Sequence, residues 1–164
     1  MLSCSLVLSD SAPLSMNLGD PLPSFTLPDQ DWNDLNSDQL LGHPCVLFFY
    51  PKDDTPGCVR QACSFRDQFA IFQDKGAEVI GISSDTPEVH RKFQEKYRLP
   101  YRLLSDKKGD LRKKFGVEAS LLGLLPRRST FIFDESGKLI HKFRSQLQAE
   151  KHIEEAIKAL TKPV

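Results

Sequence analysis

The first 51 residues contain no lysine and no arginine, although they carry six aspartates. Secretory signals and transit peptides need early basic residues, so no cleaved targeting peptide is expected at this end. No apolar run is long enough to cross a bilayer; the early stretch Leu6 to Leu8 is far too short. Four cysteines are too few for a disulfide scaffold in a chain of 164 residues, and no two of them form Cys-x-x-Cys. His43, His90, His141 and His152 show no ligand spacing with one another or with the cysteines, so no metal centre is expected. A glycine-rich phosphate loop is absent, as are internal repeats and low-complexity segments. Formal net charge is zero, which gives no electrostatic support to a role on nucleic acid or on a membrane.

What is present fits one compact domain, long enough to bury a core without disulfides or metals. Residues 1–15 read as a loose tail, with Met16 an alternative start, and residues 16–164 as a single domain. The cysteine usage points to a reducing compartment, where any disulfide is transient and catalytic. The missing early basic residues favour a cytoplasmic chain, or one that is already mature.

Two continuous apolar runs, Pro44 to Pro51 and Ala77 to Ser83, read as strands buried on both faces. Ser129 to Phe143 reads as a hairpin turning near Glu135 to Gly137. Helical patterns run from Thr55 to before Gly76, from Pro87 to about Tyr97, from Asp110 to Phe115 and from Ala149 to Leu160. Strands alternating with helices, then a hairpin and a helix, predict an α/β fold with a central mixed sheet flanked by helices.

The first helix carries two cysteines five apart in "TPGCVRQAC", Cys58 and Cys63. Thr55 suits the N-cap and Pro56 the first helical position, which puts Cys58 in the first turn beside unpaired N–H groups. The positive end of the helix dipole favours a thiolate there. Apolar residues follow at Ala62, Phe65, Phe69 and Phe72, so Cys58 begins the inward stripe. A small core thiol continuing that stripe is the plain alternative. Five residues along an ideal helix place Cα atoms roughly 8.6 Å apart, beyond the ~7 Å limit of a disulfide. The two sulfurs therefore join only if the first turn unwinds, and Cys63 as a bystander stays open at this point. Cys45 opens a buried strand and reads as an inert core thiol; Cys4 lies in the tail.

"PKDDTPGC" resembles the Pro-x-x-x-Thr-x-x-Cys signature of peroxiredoxins at Pro51, Thr55 and Cys58. With "VRQACSFRD", "GAEVIGIS", "YRLPYRLLSD" and "LPRRSTFIFD" the chain is similar to the bacterioferritin comigratory protein, or peroxiredoxin Q, branch from about Met16 to Leu160. Val59 departs from the threonine common there and should only tune the rim of the pocket. The resemblance implies a thioredoxin-like fold and thiol-dependent reduction of hydrogen peroxide and alkyl hydroperoxides, without cofactor. It implies Cys58 as the peroxidatic residue, Cys63 as the resolving one, thioredoxin or a similar dithiol as reductant, and a monomer.

Holding a thiol ionised well below its ordinary pKa of about 8.5 takes a few kcal/mol, and a helix end supplies about 0.3–1, at best about 2. A cation is needed, and Arg127 and Arg128 are available. The family pattern Leu-Pro-x-Arg-x-Thr selects Arg128, whose planar fork suits a sulfur and a peroxide oxygen. Thr55 is expected to cap the helix or to bond a peroxide. Pro51 is expected to shield the thiolate, or merely to end its strand. The backbone N–H groups of Gly57 and Cys58 are expected to hold a peroxide oxygen. Two other classes remain at this stage: a redox sensor or metal carrier without turnover, and a thiol–disulfide oxidoreductase acting on proteins. The missing Cys-x-x-x-Cys and Cys-x-x-Cys count against them.

Overall fold

The structure is a computed structural model that describes residues 15–117 and 127–161. The tail expected at residues 1–15, apart from Ser15, and Cys4 within it lie outside the described residues, as do Leu125 and Pro126. In chain order the elements are β1 (Thr26–Pro28), β2 (Asp34–Asn36), a 3-10 turn (Ser37–Leu40), β3 (Cys45–Phe49), α1 (Pro56–Asp67), α2 (Phe69–Asp74), β4 (Glu78–Ser83), α3 (Pro87–Tyr97), β5 (Arg102–Ser105), α4 (Asp110–Lys114), β6 (Ser129–Phe133), β7 (Leu139–Arg144) and α5 (Lys151–Thr161).

Five strands form the central sheet in the order β5-β4-β3-β6-β7. β3, β4 and β5 run parallel, whereas β6 is antiparallel to β3 and pairs with β7 as a hairpin. This is the mixed sheet expected. β3 lies in the middle, and all five of its residues are buried because both faces of the sheet are covered. Its side chains alternate between two cores. Leu47 and Phe49 pack with Ile80, Ile82, Phe115, Phe131 and Leu40 on one face. Val46 and Phe48 pack with Phe65, Phe93, Ile132, Ile153 and the active-helix residues Cys58 and Ala62 on the other.

Phe48 fixes the height of α1 over the sheet. It stacks on Phe65 with ring centroids 4.5 Å apart. Room for that stack comes from Gly81 on the neighbouring strand, where a Cβ would lie 2.8 Å from the Phe48 ring and from Leu103.

Two features depart from expectation. The helix read as continuous from Thr55 to Gly76 breaks at Gln68 into α1 and α2. The apolar spacing runs through the break unchanged, so it leaves no mark in the sequence. β5 and the β1–β2 hairpin were not read as strands; at three or four residues they are too short to show a period. Met16 is buried against the core at 5% exposure, and Lys142 Nζ donates to its carbonyl at 2.6 Å.

Candidate active site

β3 ends at Phe49 and feeds α1 through the loop Tyr50–Thr55, so the first turn of α1 opens at the carboxyl edge of the sheet. Thr55 takes the extended conformation of an N-cap (φ −100°, ψ 149°), its carbonyl accepts from the Val59 N–H at 2.8 Å, and Pro56 begins the helix. The expected side-chain cap is not formed. The Thr55 hydroxyl instead donates to the Lys52 carbonyl at 2.8 Å, tightening the loop rather than the helix. The first-turn N–H groups therefore keep no side-chain acceptor from Thr55, which leaves them to face an anion.

Cys58 sits at the third helical position and is 2% exposed. Arg128, directly before β6, is buried at 4% and extends across to it. Its Nη1 and Nη2 both lie 3.5 Å from Cys58 Sγ, so the guanidinium fork brackets the sulfur. Gly57 makes this approach possible, since a Cβ there would stand 2.9 Å from Arg128 Nη2. The Arg128 backbone N–H is held by Gln146 Oε1 at 2.9 Å. Arg127 is half-buried and makes no contact with Cys58 among those described, so of the basic doublet only Arg128 enters the site.

Gln61 was missed. It is fully buried one turn beyond Cys58, and its Oε1 accepts from Arg128 Nη1 at 2.5 Å. A polar residue three after Cys58, on the buried side of the helix, was the available signal. Among the described residues no carboxylate reaches Arg128; its side-chain partners are the neutral Gln61 oxygen and the Cys58 sulfur. A guanidinium keeps its charge at any ordinary pH, and a buried charge calls for an anion. A Cys58 thiolate is the anion this arrangement accommodates. Among the described residues Gln61 Nε2 and Arg128 Nε are buried donors without partners, two further groups that can donate to an oxygen entering the site.

Cys63 lies on the same helix as Cys58 and is half-buried; both are free thiols, as is Cys45 in β3. Burial pushes the Cys63 thiol up from its ordinary range, with Arg66 opposing and Asp67 adding to the shift. Cys45 is pushed up to about 12, first by burial and then by the Glu78 carboxylate, which keeps it a thiol. Pro51 is half-buried in the loop two residues past the end of β3. His90, which shows no ligand spacing in the sequence, is brought by the fold to Asp53 and Asp85, with one donor atom of each within 4.8 Å of the others. Each of those atoms already has a protein partner. Among the described residues no helix is long and apolar enough to cross a membrane.

Residues 18–142 match the AhpC/TSA family. The chain is 49% identical over 145 residues to a chloroplastic peroxiredoxin Q of Populus jackii, covering 88% of this chain and 68% of that one. It is also 49% identical over 138 residues to the chloroplastic peroxiredoxin Q of Gentiana triflora, covering 84% and 64% respectively. It thus spans about two thirds of these plant relatives. Among solved structures, peroxidoxin BcpB from Mycobacterium tuberculosis superposes with a TM-score of 0.82 at 39% identity, over 88% of this chain and 96% of that one. A bacterioferritin comigratory protein of Xanthomonas campestris, described for its alkyl peroxide reduction, superposes with a TM-score of 0.76 at 27% identity, over 87% and 100%.

Proposed function

From the premise that this chain belongs to the AhpC/TSA family, as a thioredoxin-fold peroxiredoxin of the Q type, we propose that it is a thiol-dependent peroxidase in which Cys58 attacks the peroxide and Cys63 resolves the product. The observation that carries the assignment is the Arg128 fork at 3.5 Å from Cys58 Sγ.

The Cys58 thiolate attacks one peroxide oxygen, the O–O bond breaks, and the departing oxygen takes a proton and leaves as water or alcohol. The sulfur is oxidised to a sulfenic acid. Arg128 stabilises the thiolate before attack and opposes charge on the departing oxygen during it. The N–H groups of Gly57 and Cys58, with Gln61 Nε2, are donors for the peroxide, and the Thr55 hydroxyl is available once it leaves the Lys52 carbonyl. Cys63 then attacks the Cys58 sulfur, water departs, and the disulfide forms. An external dithiol, thioredoxin or a similar protein, takes up the oxidising equivalents and returns both thiols. Cys63, held as a thiol, is suited to wait for the sulfenic acid rather than to compete for peroxide.

Hydrogen peroxide and alkyl hydroperoxides are the substrates we assign; the Xanthomonas campestris relative supports the second. The chemistry needs no cofactor, since sulfur carries every electron. A monomer suffices, because both sulfurs belong to one helix. A bacterial cytoplasm and a plastid both suit the resemblance, and the missing early basic residues point to the former; the plant relatives are chloroplastic, which favours the plastid.

The test is one equivalent of hydrogen peroxide added to reduced protein, followed by a thiol count. Two thiols should disappear within one chain. Cys58→Ser should abolish consumption. Cys63→Ser should leave a trappable sulfenic acid on Cys58 and prevent recycling by thioredoxin. Peroxide consumption by Cys58→Ser at the parental rate would overturn the assignment.

A further inference from the structure

The loop that presents Cys58 is held from an unexpected direction. Its two consecutive acids, Asp53 and Asp54, both engage α3, one at each end of that helix, and neither contact has a part in the chemistry above.

The inner contact is buried. Asp53 is 5% exposed; its Oδ1 accepts from the Tyr50 hydroxyl at 2.5 Å, and its Oδ2 lies 2.6 Å from His90 Nδ1. His90 Nε2 lies 3.0 Å from the Leu104 carbonyl. That carbonyl can only accept, so Nε2 is the donor to it, and Nδ1 faces the Asp53 carboxylate. The Asp53 N–H donates to Asp85 Oδ2 at 2.8 Å, and Asp85 in turn accepts from the Ser83 hydroxyl at 2.7 Å. A satisfied polar chain thus runs from β5 through α3 into the loop. Although it has the donors of a metal site, its hydrogen bonding is complete without an ion.

The outer contact is at the surface. Asp54 adopts φ 56°, a left-handed backbone that a residue with a Cβ adopts reluctantly. Its carboxylate accepts from Lys96 Nζ at 2.9 and 3.0 Å and from the Tyr97 hydroxyl at 2.7 Å. The same end of α3 is tied to the body of α1, since Arg66 Nη1 donates to the Tyr97 carbonyl at 2.7 Å.

The structure assigns Asp53 and Asp54 the role of positioning residues: together they latch the loop Pro51–Thr55 onto α3 and so set where Cys58 stands relative to Arg128. The assignment rests on the reading of Cys58 as the attacking sulfur. Neither acid touches the peroxide; each acts through the backbone that leads to Thr55 and the first turn of α1. In-line attack tolerates little misplacement, so loosening the loop should slow oxidation more than it harms folding.

The test uses the full chain with Asp53→Asn, Asp54→Gly and Lys96→Met. Asp54→Gly accepts the positive φ without strain and removes only the carboxylate, so it isolates the contact. Stopped-flow gives the second-order rate of Cys58 oxidation by hydrogen peroxide, iodoacetamide the rate of alkylation, and thermal melting the fraction folded. Asp53→Asn should slow peroxide oxidation about tenfold or more, and the two surface variants about threefold. Alkylation should stay level or quicken, because that reagent needs an opened loop and not an aligned one. A merely structural role would lower the melting temperature and leave the oxidation rate of folded protein unchanged. Should Asp53→Asn fail to fold, the surface variants decide the matter. Folded variants oxidising within about twofold of the parent would overturn the latch. Cys58→Ser, run beside them, separates that outcome from failure of the peroxidase reading, since only the latter leaves it active.

Discussion

Arg128 and Cys58 stand 70 positions apart in the chain, yet both terminal nitrogens of the arginine lie 3.5 Å from the sulfur. A lysine in the same place would offer one point charge; the fork offers two aligned N–H groups. That difference gives the first prediction. Arg128→Ala should slow peroxide attack by about 10²–10³, and Arg128→Lys should recover only part of it. Stopped-flow oxidation of reduced protein measures both, and a lysine variant as fast as the parent would show that charge alone suffices.

Gln61 holds the fork from the other side. Gln61→Leu removes the acceptor of Arg128 Nη1 and leaves that buried N–H facing an apolar side chain. The rate of Cys58 oxidation should fall about tenfold, the effect of roughly 1.4 kcal/mol. Gln61→Glu keeps an acceptor for Nη1 but gives Arg128 a competing anion beside Cys58, and should slow oxidation at least as much as Gln61→Leu in the same assay.

Turnover should be visible as lost helix. Cys58 and Cys63 lie in one uninterrupted helix, α1, whose ideal geometry keeps their Cα atoms roughly 8.6 Å apart. On oxidation, amides in the first turns of α1 should lose hydrogen-exchange protection, while the Asp53 amide, bonded to Asp85, should keep it. Full protection of α1 in a protein that has formed the disulfide would contradict this.

His152 gives a pH dependence independent of the chemistry. Burial lowers its pKa from the ordinary 6.5 to about 4; the hydrogen bond to the Ser145 carbonyl opposes this and the Arg128 charge adds to it. The folded protein keeps the ring neutral, with Nε2 donating to that carbonyl and Nδ1 accepting from the Thr130 hydroxyl. Its contribution is whole above pH 6.5. As the pH falls from there towards 4, the unfolded chain takes up a proton that the folded one refuses, and stability drops. The loss should be on the order of 3 kcal/mol. Denaturant unfolding of His152→Gln, in which the amide can keep both hydrogen bonds, should show a shallower fall across this window than the parent.

Cys45 should stay out of the redox cycle. With its thiol pushed up to about 12 inside β3, it should resist both alkylation and peroxide until the protein unfolds. Cys45→Ala should cost about 1 kcal/mol of stability for a small lost side chain and leave peroxide turnover unchanged.

Much of the fold was legible because its signals are local. "CVLFF" reads as a doubly covered strand since no residue in it tolerates water, and it is the middle strand of the sheet. Pro56 marks the start of α1, and Pro87 that of α3. The β1–β2 hairpin, β5 and the break at Gln68 left no such trace. Short strands gain their stability from neighbours rather than from their own pattern, and a continuous apolar stripe conceals a bend.

The amino-acid order alone determined that two sulfurs sit five apart on one helix, with Cys58 in its first turn, and that they cannot bridge while the helix holds. Helical rise and rotation per residue are enough to require that. Which groups surround the sulfur was decided only by tertiary structure. Arg128 reaches Cys58 because β6 pairs antiparallel with β3 in one register, Gln61 meets it because α1 turns that face inward, and Asp53 finds His90 because α3 packs beside the loop. Such meetings are set by strand pairing and packing between distant segments, and no spacing along the chain encodes them.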